Sequence, residues 1–288
     1  NSFTDSLQVK AIILLIAVAF ILGLTYYGYK LYTPANGEQK IEKIIKIDPG
    51  SSLVLISQEL TQENLINNPF IFKTYVKLKG LEDNIQAGYY KLNSKMTIVN
   101  IVKKLASGQT ATYQFTIPEG ATVEEIAVKV DNKGYQINEK KFLRLAKQKK
   151  LNFLANTEQT KYNLEGFLFP ETYRFSYGSS EEKIINKMLT EFRRRVNPLK
   201  AEIKRSGYSL YQIITIASLI EAEAKVKEEL SLISSVIYNR LQRRMRLQLD
   251  ATIQYILPQR KDRLFYSDLE VESIYNTYQY YGLPPGTI

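Results

Sequence analysis

"IDPGSSLVLISQEL" (residues 47–60) returns 70 residues later as "IPEGATVEEIAVKV" (117–130). Gly50 aligns with Gly120, Leu53 with Val123, Ile56 with Ile126 and Leu60 with Val130; further on, Phe72 aligns with Phe142. Each copy reads as a strand, a glycine turn and a helix whose apolar residues recur at steps of three and four. The recurrence predicts a duplicated small α+β unit. The competing reading is two unrelated strand–turn–helix units of chance likeness.

Around the first copy, "IEKIIKI" (41–47) alternates like a strand, and Ser51 or Ser52 is the expected N-cap of the helix that follows. "AGYYKLNSKMTIVNIVKKLASGQ" (87–109) reads as a strand, a helix capped by Ser94 and a stop at Gly108. From about 181 the chain turns strongly helical, and it closes on the loop "YNTYQYYGLPPGTI" (275–288).

Towards the N-terminus, "AIILLIAVAFILGLTYYGY" (11–29) lies between Lys10 and Lys30 without a charge. At a rise of about 1.5 Å per residue it reaches about 28 Å, close to the roughly 30 Å of a bilayer's hydrocarbon core. Tyr26, Tyr27, Tyr29 and Tyr32 gather at its downstream end, as an interfacial aromatic belt would. The run is longer than a signal-peptide h-region and has no convincing small-x-small cleavage site. The expected layout is a short segment over 1–8, a transmembrane helix over 9–30 and a linker over 31–40, with everything after residue 30 on one side of the membrane.

The 288 residues contain neither Cys nor His. Thiol nucleophiles, Ser-His-Asp relays, zinc sites and disulfides are therefore excluded, and any proton transfer falls to Asp, Glu, Lys or Tyr. The formal charge of +10 includes clusters at 147–150, 193–195 and 243–246. Such patches attract polyanions, yet no aromatic–basic interleaving or zinc-finger pattern marks a nucleic-acid binder.

"ITIASLIEAEAK" (214–225) places a carboxylate at the end of an apolar helix. With Ser209 as N-cap, one face carries Ile213, Ile214, Ala217, Ile220, Glu221 and Ala224. Glu221 should belong to or border the buried stripe, and desolvation should raise its pKa, as a general acid near neutral pH requires. Glu223, about 200° further round the helix, should point elsewhere, so the two do not form a dyad. On this spacing alone, an acid flanking an apolar helix face is more often a boundary residue than a catalyst.

"IASLIEAEA" (216–224), "VIYNRLQRRMRLQLDATIQY" (236–255) and "YNTYQYYGLPPGTI" (275–288), with "EGFLFPETYRF" (165–175), resemble the blocks of the YceG-like family of endolytic murein transglycosylases, in the same order. The resemblance implies that Glu221 is the catalytic acid. It also implies that Glu223, Asn239, Gln248, Asp250, Tyr275, Asn276 and Tyr278 surround the substrate cleft. Asn276, Gln248 and Tyr275 are the candidates for stabilising the transition state, whereas Asp250 could instead cap a helix or pair with Arg240. Leu249 and Ala251 depart from the family's usual Ser and Pro.

The fold implied is α+β: a single N-terminal transmembrane helix, a small LysM-like module over 41–115, a second related unit over 116–160 and a mixed α/β catalytic region over 161–288. Family members continue past the Pro-Pro-Gly loop, so that region is expected to lack its C-terminal part. The implied activity is lytic cleavage of nascent peptidoglycan strands to 1,6-anhydro ends by one carboxyl group, with no cofactor and no metal. The implied partners are glycan strands, the cytoplasmic membrane, where the catalytic region would lie on the extracytoplasmic side, and peptidoglycan synthases, but not nucleic acid. A non-catalytic wall-binding or cell-division scaffold is the alternative, and a salt-sensitive polyanion binder a weaker one.

Overall fold

The computed structural model describes residues 2–35, 40–131, 137–151 and 159–288. These divide into two compact units, residues 1–113 with 176–178, and residues 114–175 with 179–288.

Helix α1 (Ser2–Tyr32) opens the first unit, and over Val9–Tyr32 it is long and apolar enough to cross a membrane. Its residues from Ile12 to Leu24 are all exposed, so among the described residues no protein surface accounts for their apolarity. At its downstream end, Leu31 is buried in the unit's core and Tyr27 packs beside it. Residues 31 and 32, expected in a linker, continue the helix instead. Residues 36–39 of that expected linker lie outside the described residues.

Strand β1 (Glu42–Ile47) is followed by α2 (Leu53–Gln62), α3 (Pro69–Leu78) and β2 (Gly88–Asn93). The two strands pair antiparallel, with Glu42 opposite Asn93 and Ile47 opposite Gly88. Alternation sends Ile45, Ile47, Tyr90 and Leu92 to one face, where Ile56, Leu60, Phe72 and Val76 of the helices cover them. Ser52 caps α2 by accepting the Leu55 N–H, and Asn68 caps α3 ahead of Pro69.

Helix α4 (Ile98–Ala106) completes the core with Ile101, Val102 and Leu105. Its cap is Thr97, not Ser94. Ser94 is buried and exchanges hydrogen bonds with Ile41, its hydroxyl accepting the Ile41 N–H at 3.0 Å, which closes the end of the strand ladder.

The strand–helix–helix–strand order recurs in β3 (Thr112–Thr116), α5 (Val123–Asp131), α6 (Glu139–Gln148) and β4 (Thr172–Ser176). Aligned positions play like parts: Gly50 and Gly120 both adopt positive φ, and Ile47, Ile56, Leu60 and Phe72 are buried as are Ile117, Ile126, Val130 and Phe142. The four elements of this second copy run from Thr112 to Ser176.

Helix α7 (Glu181–Val196) buries Ile184, Ile185, Met188 and Phe192, and α8 (Lys200–Ser206) ends at the left-handed Gly207. Then come α9 (Leu210–Glu223), α10 (Leu230–Gln242) and α11 (Asp250–Ile256). They share a small core of Ile216, Leu219, Ile237, Leu247 and Leu249.

Candidate active site

Helix α9 begins with a capping box: Ser209 accepts the Gln212 N–H and Gln212 accepts the Ser209 N–H. Its buried residues are Thr215, Ile216 and Leu219. The face expected to be buried, through Ala217, Ile220, Glu221 and Ala224, lines an open cleft of about 710 Å³ instead. The reason is local: α9 is apolar almost all round, so its periodicity selects no unique inner face and the neighbouring helices decide.

Glu221 is thus exposed along the cleft wall rather than buried in the core. Its carboxyl is nevertheless partly desolvated, which raises its pKa; the negative charge of Glu119 adds to the shift and the Gly120 N–H opposes it. Glu119 also lines the cleft, together with Lys225, Lys227, Ser231 and Ser234. The Pro118–Gly120 turn is therefore part of this site, and a Cβ added at Gly120 would stand 4.0 Å from the Glu221 carboxyl carbon. An acid whose pKa is raised, set beside an open groove, can donate to a leaving oxygen and later take a proton back.

Glu223 faces another way, as expected. It is half-buried and accepts the Ala251 N–H at 2.8 Å, at the start of α11. Burial raises its pKa, Asp250 adds to this and the Ala251 N–H counteracts it.

Of the other six residues, Asp250, Gln248, Asn276 and Tyr278 connect to that second locus through α11 and the loop over 276–278. Asp250 is the exposed first residue of α11 and accepts the Tyr278 hydroxyl. Arg240, its suggested partner, donates to the Leu247 carbonyl. Gln248 is exposed at φ 50°, with its N–H on the Thr277 carbonyl at 3.0 Å. Asn239 lies on the exposed side of α10.

Asn276 is fully buried. Its amide donates to the Leu269 and Val271 carbonyls at 2.9 and 2.8 Å and accepts the Tyr278 N–H at 2.9 Å. Both N–H bonds being used, it has no free donor for a ligand. Tyr275 is buried, its ring 5.2 Å from that of Tyr255. Among the described residues, none of the seven expected cleft residues lines the groove at Glu221.

Two carboxylates escaped the sequence reading of the site. Glu119 carried one faint signal, an acid where the first copy has Pro49. Glu165 opens the block "EGFLFPETYRF" and is buried. It accepts the Val123 N–H at 2.7 Å, where α5 begins, and the Tyr255 hydroxyl at 3.1 Å. Burial pushes its pKa up to about 7, against the bonds from Val123 and Tyr255 and the charge of Lys161, with Glu124 adding to the rise. Its backbone carbonyl accepts the Thr287 hydroxyl at 2.6 Å, tying in the Pro-Pro-Gly loop.

A sequence profile of the YceG-like family matches residues 45–288. The endolytic murein transglycosylase of Bacillus subtilis (strain 168) is 37% identical over 279 residues, covering 92% of this chain and 77% of that protein. The protein of that name from Streptococcus pneumoniae serotype 2 is 30% identical over 315 residues; the match takes in 98% of this chain but 57% of the relative. A crystal structure of a YceG-like protein from Listeria monocytogenes aligns with a TM-score of 0.57 at 34% identity, covering 86% of this chain and 85% of that one.

Proposed function

The chain belongs to the YceG-like family, and on that footing we propose that it is a membrane-anchored endolytic transglycosylase of peptidoglycan with Glu221 as its single general acid and base. The observation that carries this reading is the partly desolvated Glu221 carboxyl, its pKa raised, on the wall of a cleft of about 710 Å³. The relatives' shared name supports peptidoglycan as the substrate.

Hydrolysis of a glycosidic bond generally uses two carboxyl groups, one of them to activate water or attack the sugar. An intramolecular transfer needs one. The protonated Glu221 gives its proton to the glycosidic oxygen as the C1–O bond breaks and positive charge develops at C1. The 6-hydroxyl of the same N-acetylmuramic acid, already tethered, attacks C1 and surrenders its proton to the Glu221 carboxylate. The products are a 1,6-anhydro end and a new chain end; no water is consumed and the acid is restored.

Asn276 and Tyr275 fit a supporting role in this scheme, holding the loop that carries Tyr278 and Thr277. Gln248, Asn239, Asp250 and Tyr278 keep exposed atoms with which to meet a strand. Helix α1 serves as a single-pass anchor in the cytoplasmic membrane, with the rest of the chain on the extracytoplasmic side. The β–α–α–β unit over 42–93 supports the LysM-like reading, and peptidoglycan synthases acting on the same strands are the fitting protein partners. Mass spectrometry of the products from uncrosslinked strands tests the proposal. Anhydro ends from the detergent-solubilised chain and none from Glu221→Gln are expected; anhydro ends from both would remove Glu221 from the reaction, and reducing ends would mean that water attacks.

A further inference from the structure

Glu119 lines two cavities. One is the Glu221 cleft; the other, of about 310 Å³, is formed by Gly120, Glu125, Lys129 and Arg260 among others. A chain lying along the first groove meets the second on passing Glu119. Lys129 comes from α5 and Arg260 from the loop after α11, so two cations far apart in sequence converge on one small pocket. Both are exposed, and among the described residues neither makes an ion pair.

The duplication supplies an internal control. Glu119, Glu125 and Lys129 align with Pro49, Leu55 and Glu59 of the first copy, which folds into the same strand–helix–helix–strand order without them. Glu125 has a local task, since it accepts the Thr122 N–H at 2.9 Å and caps α5. Lys129 has no such task, and its counterpart carries the opposite charge. The fold therefore does not demand a cation there.

We propose that this pocket is a binding subsite for the carboxylates of peptide side arms on a glycan strand, held by Lys129 and Arg260 while the sugar backbone runs past Glu119 to Glu221. The inference rests on the peptidoglycan reading above, and it adds a determinant of specificity: strands bearing acidic peptides are held in preference to bare ones. Paired cations suit a carboxylate, with the guanidinium offering two parallel N–H bonds and the ammonium a point charge.

The test uses the full chain in detergent with Glu221→Gln to arrest turnover, and measures binding of uncrosslinked strands with and without their peptides. Adding K129A and R260A together should weaken binding of peptide-bearing strands about tenfold and of bare strands less than about twofold. Lys129→Arg should restore affinity lost in Lys129→Ala, separating charge from shape. Equal losses on both strands, no loss on either, or no binding of peptide-bearing strands by the parent would overturn the subsite. The two readings fail separately: anhydro products without peptide selectivity sink the subsite alone, and peptide selectivity without anhydro products sinks the reaction alone.

Discussion

Glu221 and Glu223 stand two residues apart on one helix and serve different surroundings: the first lines an open cleft beside Glu119, and the second holds the Ala251 N–H at 2.8 Å where α11 begins. Their variants should separate accordingly. Glu221→Gln should lower cleavage by about 10²–10⁴-fold, the usual worth of a general acid, and leave the melting temperature near that of the parent. Glu223→Ala should cost about 1–2 kcal/mol of stability through the orphaned N–H while cleavage persists. Product chromatography and thermal melts distinguish the two; an inactive, fully stable Glu223→Ala would contradict the division of roles.

The proton affinity of Glu221 depends on Glu119, a neighbour about a hundred positions upstream in the second unit. Burial raises its pKa and Glu119 raises it further, against the Gly120 N–H; Lys225 and Lys227 line the same cleft. In the proposed mechanism the acid works protonated, so activity should decline as pH rises through the elevated pKa. Glu119→Gln removes a like charge, lowers that pKa and should move the alkaline limb of the pH–rate profile to lower pH. A limb that stays put, or shifts upward, would show that Glu119 does not act on Glu221.

Glu165 makes stability depend on pH. Its folded pKa of about 7 exceeds the unfolded value, so between the two the folded state binds more protons. Stability should therefore fall as pH rises from about 4.3 towards 7, by on the order of 3 kcal/mol. The groups facing it are the Val123 N–H, Tyr255, Lys161 and Glu124. Denaturant titrations across that range should show a flatter pH dependence for Glu165→Gln than for the parent; parallel curves would mean that Glu165 stays charged.

Asn276 acts on the fold before it acts on any ligand. Asn276→Ala strips two part-buried carbonyls of their donor and the Tyr278 N–H of its acceptor, for about 1–3 kcal/mol. The expected signature is a lower melting temperature with KM for glycan little changed at a temperature where the variant is folded. A raised KM at unchanged stability would return Asn276 to the substrate.

What could be read locally was legible in the sequence. Apolar periodicity at Leu53, Ile56 and Leu60, and at Val123, Ile126 and Val130, is a local pattern, and it marked two helices with their buried faces. Ser52 and Ser209 cap helices as their positions suggest, because a cap satisfies backbone groups within three residues of itself. Ser94 had equal local credentials but is drawn to Ile41, 53 residues away, once β1 and β2 pair.

Glu221 could be named from its blocks of sequence, though not the face it occupies. On a helix apolar nearly all round, any of several stripes could be the inner one, and only the seating of α9 against Ile237, Leu247 and Leu249 settles that Leu219 is fully buried while Ile220 packs at the edge of that core and lines the cleft. The same holds for Glu119, 102 positions upstream of Glu221, and for Glu165, whose neighbours Val123 and Tyr255 lie 42 and 90 residues from it. Residue type and spacing decided which helices and strands form. Which carboxyl groups share a cleft, and how tightly each holds its proton, came only with the tertiary structure, because burial and charge proximity are properties of distances in space rather than along the chain.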